Sequence, residues 1–195
     1  MPHQIEIAPS GRAKCRHCKL ALEKGSLRFG ESVPHVYGEN EAFHWYHPLC
    51  GAGRRPEAFL DALGRFEGEL ARADELRKLA TIGVEHPRWS RVVRVERAST
   101  GRAKCRHCHE AIGKGELRLA LEVLEDGMLN PAGFVHPLCM KAYAGTIEGL
   151  IERLERTGPL EDRDELVRLL ESGPEPSPDA AANADDDAST AADSD

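Results

Sequence analysis

The chain has 195 residues, with 33 acidic and 26 basic side chains and a formal charge of −7. It lacks any run of about eighteen apolar residues, which argues against a membrane-spanning helix. The basic-then-apolar pattern of a secretory leader is also missing from the N-terminus. These features predict an intracellular protein, in the cytoplasm or nucleoid of a bacterium or the nucleus of a eukaryote.

In chain order, Ile5 and Ile7 alternate with polar residues and predict a short strand. Ser10-Gly11 is a turn signal ahead of Cys15-x2-Cys18. Leu27 to Phe29 reads as a second strand carrying Arg28, followed by a loop that contains Val36, Tyr37, Ala42 and Phe43 and leads to His47-x2-Cys50. Residues 56–82 carry an amphipathic stripe of Phe59, Leu63, Phe66, Leu70, Ala73, Leu76 and Leu79, which predicts helix. Gly64 and Gly68 weaken it and point to a split in two, and His86-Pro87 ends it.

The same order then recurs. Val92, Val93 and Val95 predict a strand, and Thr100-Gly101 a turn before Cys105-x2-Cys108. Leu117 to Leu121 predicts a strand carrying Arg118, and a loop with Met128, Leu129 and Pro131 leads to His136-x2-Cys139. Ile147, Leu150, Ile151 and Leu154 share one helical face that stops at Gly158-Pro159. A last helix uses Leu166, Val167, Leu169 and Leu170, begun by Asp162 or Asp164. Residues 172–195 hold seven acidic residues and no Lys or Arg, too few apolar groups to fold, and read as a disordered acidic tail. The remaining residues 1–171 balance at 26 acidic and 26 basic side chains.

The fold class expected is α+β: two small zinc-stabilised modules, each a short antiparallel sheet with helices. The boundaries expected are 1–83, 84–171 and the tail at 172–195. Modules of fewer than about a hundred residues often need a metal to supplement a limited core.

The metal reading rests on spacing. Twenty-eight residues separate Cys18 from His47, and 27 separate Cys108 from His136. The two sets, Cys15, Cys18, His47, Cys50 and Cys105, Cys108, His136, Cys139, use all six cysteines. Two residues between cysteines let one turn aim both sulfurs at one ion, and His-x2-Cys supplies the other half from a helix start or a second turn. Four protein ligands close a tetrahedral shell and leave no position for a catalytic water, so two structural zinc ions are expected. The rival is a redox Cys-x-x-Cys pair or a disulfide framework, which does not call for a partnered His-x2-Cys. His17, His44 and His107 lie close enough in sequence to compete, and read as neighbours of the ligands. Trp45 and Tyr46 are expected to pack beside the metal.

Gly-Arg-Ala-x-Cys-x-x-Cys, then Ser26-Leu27-Arg28, then His44-Trp-Tyr-His-Pro-Leu-Cys50 resembles the poly(ADP-ribose) polymerase-type zinc finger, a family that includes the nick-sensing finger of one class of DNA ligase. The likeness covers about residues 4–55 and 94–145, in two tandem copies, with nothing resembling the polymerase's catalytic domain. It implies a non-catalytic module that recognises nicked or broken DNA by structure. It maps backbone-gripping arginines onto Arg12 and Arg102, and onto Arg28 and Arg118. It places base-stacking groups in the loops before His-x2-Cys, where Tyr37, Met128 and Leu129 are available. Lys14 and Lys104 stand beside Arg12 and Arg102 and suit phosphate contacts, which position a protein without reading sequence. Residues 10–50 sum only to +2 and residues 100–139 to zero. That keeps a second function class open: a protein-interaction adaptor built on the same scaffold, engaging a partner through its amphipathic helices or acidic tail.

Overall fold

The computed structural model describes residues 2–33, 42–125, 128–156, 160 and 162–175. Tyr37 and the tail from residue 176 lie outside the described residues.

The two halves carry matching three-stranded antiparallel sheets. In the first, β1 (Gln4–Ile7), β2 (Leu27–Val33) and β3 (Ala42–Tyr46) lie in the order β1-β2-β3, with Ile5 opposite Phe29 and Phe29 opposite Tyr46. In the second, β4 (Val92–Arg97), β5 (Leu117–Glu125) and β6 (Met128–Val135) repeat that order. Ala42 and Phe43 of the first segment read as a loop lie in β3, and Met128, Leu129 and Pro131 of the second lie in β6, both outer strands of their sheets. Pro131 and Gly133 hide β6 from a propensity reading. An edge strand tolerates both, and the register shifts there, between Leu121 and Glu122.

Helices follow each sheet. Proline opens α1 (Pro48–Arg54), α2 (Pro56–Arg65) and α4 (Pro87–Arg91), where its fixed φ and missing N–H cost nothing. The stripe at 56–82 is indeed split, into α2 and α3 (Ala73–Glu85). In the second half a 3-10 turn (Pro137–Cys139) runs into α5 (Met140–Ala144), followed by α6 (Leu150–Glu155) and α7 (Arg163–Glu171). Asp162 stands at the start of α7, but its carboxylate accepts from Arg97 at 2.6 Å instead of capping the helix.

Phe29 sits at the centre of the first half, edge-on to Phe59 at 5.5 Å and tilted against Tyr46 at 5.8 Å. Gly51 of α1 is needed there, because a Cβ would lie 2.4 Å from the Phe29 ring. The apolar interior does not stop at the repeat boundary. One cluster runs from Ile5 to Leu170, and Trp89 of α4 is fully buried within it. Residues 83–99 are therefore packed structure, with Trp89, Val92 and Ala98 in the shared interior.

Candidate zinc centres and cationic faces

Each Cys-x2-Cys sits on a tight knuckle of fixed hydrogen bonding. The Cys15 N–H donates to Leu20 O at 2.9 Å and the Lys19 N–H to Cys15 O at 3.0 Å; Cys105–Glu110 and His109–Cys105 repeat both. Lys19 and His109 accordingly adopt left-handed backbone at φ 64° and 61°, which lets the turn reverse within one residue. The knuckle is tied to the neighbouring strand by Arg16 N–H to Trp45 O and Arg106 N–H to Phe134 O, both 2.8 Å. His47 is the residue before α1 and Cys50 lies in its first turn, so a helix start aims both groups inward. In the second copy His136 precedes the 3-10 turn that ends at Cys139.

The ligand atoms of Cys15, Cys18, His47 and Cys50 all lie within 4.8 Å of one another, as do those of Cys105, Cys108, His136 and Cys139. Zinc bonds of about 2.3 Å to sulfur and 2.0 Å to nitrogen put tetrahedral S···N separations near 3.5 Å. Cys18 Sγ is 3.3 Å from His47 Nδ1, and Cys108 Sγ is 3.4 Å from His136 Nδ1. The donor sets therefore fit zinc, and Nδ1 is the ligating nitrogen. His47 Nε2 donates to Ala21 O at 3.1 Å, fixing its tautomer and ring plane from outside the shell. Zinc bound there supplies a closed four-armed cross-link.

The thiols crowd closely enough to contest protons. The hydrogen bond with Cys50 pulls Cys15 down to about 3, against the cost of burial, and Cys50 is pushed up in turn. Burial and the Cys105 sulfur push Cys139 up to about 12. A divalent cation resolves that contest by displacing the protons. The neighbouring His17 is not among the four residues whose ligand atoms converge. Burial, with the charges of Arg54 and Arg153 nearby, drives it down to about 3, so it is neutral. The first centre is more enclosed: Cys15 and Cys50 are buried, whereas Cys108 is exposed.

The cationic residues separate into two kinds. Arg12, Lys14, Arg102 and Lys104 are exposed on the loops leading into the knuckles. Arg28 and Arg118 are buried at 8% exposure. Arg28 Nε donates to Glu6 at 2.9 Å, and its guanidinium lies 3.5 Å from the Trp45 ring centroid. Arg118 repeats this with Glu96, at 3.0 Å, and with Phe134, at 3.5 Å. Trp45 thus covers Arg28, a pairing that sequence reasoning missed, although the regular spacing of Glu6, Arg28 and Trp45 against Glu96, Arg118 and Phe134 signals it. On β4, Arg94 pairs with Glu96, and Arg97 with Asp162 and Glu165.

Met128 is 62% exposed, and with Leu129 it lines a groove of about 1080 Å³ between the two halves. Val33, Val84, Val123 and Leu124 add to its apolar lining.

Residues 6–82 match the family model described as the poly(ADP-ribose) polymerase and DNA-ligase zinc-finger region. That segment is a PARP-type zinc finger. The chain's second Cys3His site, built on the same knuckle, supports a second copy. The chain is 27% identical to chicken poly [ADP-ribose] polymerase 1 over 157 residues, covering 71% of this chain and 15% of that protein. It is 25% identical over 142 residues to the poly [ADP-ribose] polymerase of Sarcophaga peregrina, covering 64% and 14%. It is 26% identical over 155 residues to the rice poly [ADP-ribose] polymerase 1, covering 74% and 15%. The chain thus spans about one seventh of the length of the curated relatives it matches. No helix among the described residues is long and apolar enough to cross a membrane.

Proposed function

We propose that this chain is a zinc-dependent, non-catalytic protein of the cell interior that binds DNA at nicks or strand breaks, recognising structure and not sequence. The observation that carries the reading is the repeated knuckle: in both copies a converging Cys3His set follows directly on a Gly-Arg-Ala-Lys segment whose basic residues, Arg12 and Lys14 or Arg102 and Lys104, are exposed. Guanidinium forks suit phosphate oxygens. The family match supports DNA as the ligand. Residues 1–83 and 84–171 are the two binding modules, and the acidic residues 172–195 extend from them. Met128 and Leu129, on the groove between the halves, cover an exposed base face at a discontinuity, and Tyr37 takes that part in the first loop. Arg28 and Arg118 join the phosphate contacts only by exchanging Glu6 and Glu96 for DNA. Closed shells leave no coordination position for chemistry.

The test is a titration of the zinc-loaded chain with intact, nicked, gapped and blunt-ended duplexes, repeated after chelation. Preference for nicked or gapped DNA, lost with the metal, is expected. Equal weak binding to all four duplexes rules the reading out.

The carboxylates occupying Arg28 and Arg118 favour one second reading, a protein-interaction adaptor on the same scaffold. It expects no DNA binding at moderate salt and a stable protein partner.

A further inference from the structure

Arg153 sits on α6 in the second half, yet one of its polar contacts reaches back across the repeat boundary to Gly53. Its Nη1 donates to Gly53 O at 2.8 Å, and its Nη2 donates to Trp89 O at 2.8 Å and Val92 O at 2.7 Å. The guanidinium lies 3.9 Å from the Trp89 ring centroid, and the residue is 1% exposed. Gly53 is required for this approach, since a Cβ there would stand 2.4 Å from Arg153 Cδ. Beside it, Arg54 donates to Ser90 O and pairs with Glu122 of β5 at 3.2 Å.

Gly53 and Arg54 end the same seven-residue helix whose first turn carries Cys50. Gly53 lies three positions beyond Cys50, one turn along. Helix α1 therefore joins a zinc ligand at one end to the second half's guanidinium at the other. Among the described residues no carboxylate pairs with Arg153, and a buried guanidinium without a counter-charge is costly. Three thiolates and a neutral imidazole around Zn2+ leave one net negative charge.

We propose that Arg153, carried by the second half, is an outer positioning partner of the first zinc centre. It fixes the helix bearing Cys50 and offsets the charge of the filled Cys3His shell, so the first ion is retained much longer than the second. Outer-shell partners of this kind commonly change metal affinity by roughly 10–100-fold. The second centre, with Cys108 exposed, is the one that exchanges readily. Neither statement depends on what the protein binds.

The experiment challenges the full-length, two-zinc chain with excess chromogenic chelator and follows release. The natural chain should lose one ion in a fast phase and one in a slow phase. Cys108→Ser should remove the fast phase. Arg153→Met, which keeps the bulk and removes the charge and the fork, should speed the slow phase at least tenfold and leave the fast one alone. Arg153→Lys, which restores the charge, should recover part of the retention. A slow phase unmoved by Arg153→Met overturns the proposal, as does equal acceleration of both phases. If Arg153→Met does not fold, Gly53→Ala displaces the same side chain by setting a Cβ against Arg153 Cδ. It should quicken only the slow phase, by several-fold, and an unchanged slow phase there is equally decisive against it.

Discussion

The guanidinium of Arg28 lies flat over the indole of Trp45, 3.5 Å from its centroid, while Glu6 takes its N–H groups from the side. Arg118, Phe134 and Glu96 repeat the arrangement in the second sheet. Each trio spans all three strands, so an arginine on the central strand ties both outer strands to it.

Arg28→Ala should therefore cost stability whether or not DNA is present. A desolvated cation–π contact is worth about 2 kcal/mol, and removing the arginine leaves Glu6 unpaired. A loss of about 1–3 kcal/mol in denaturant unfolding is expected. Glu6→Gln should weaken the sheet less and free the guanidinium, so affinity for nicked duplex should rise a few-fold. An unchanged or lower affinity would place Arg28 outside the phosphate contacts.

Arg12 offers the contrast, being exposed on a loop. Arg12→Ala should leave the melting temperature within experimental error. It should lower affinity for every DNA sequence alike and reduce the salt slope of log K by about one. Measurement at three or more salt concentrations separates this from a specific base contact.

The Cys and His spacing made the zinc centres legible, because a tetrahedral ion constrains sequence as tightly as geometry. The helices at Phe59, Leu79 and Leu166 were legible from periodicity, since each buries one face. Arg153 was not. On a short helix reading Leu-Ile-Glu-Arg-Leu-Glu it belongs to the polar side, and only the packing of α1, Trp89 and Val92 around it buries it. Strand β3 was hidden for a related reason. Phe43 and Trp45 lie on one face and His44 and Tyr46 on the other, so neither face reads as polar, and the partner strand settles the matter.

Acid should weaken the second sheet through Glu96. Burial raises its pKa, but hydrogen bonds from Arg118 and Arg94 outweigh that and leave it below the ordinary carboxylate value. A depressed pKa means the charged form stabilises the fold. That contribution is whole above the unfolded value, about 4.3, and is lost as pH falls through the folded value. Zinc release from protonated thiolates adds its own loss of stability over the acid range. Glu96→Gln should thus melt below the natural chain at pH 7, with the gap closing as pH drops below about 4. A gap that widens on acidification would show the pair to be unfavourable.

Trp89 decides whether the two halves unfold together. Its side chain is fully buried, its ring lies under Arg153, and its carbonyl accepts from the same guanidinium. It stands on α4, between the helices of the first half and β4 of the second. If the shared interior makes one cooperative unit, the natural chain loses its signals from both zinc centres in a single transition. Trp89→Ala removes the largest side chain at the junction and should cost about 3–5 kcal/mol. The cavity faces both halves, so the two centres should become distinguishable in calorimetry, each held then by its own sheet and metal. Cobalt substitution provides the readout, because its thiolate absorption follows each shell directly. A natural chain that already melts in two steps, with Trp89→Ala moving only one of them, would mean that the junction packs without coupling the halves.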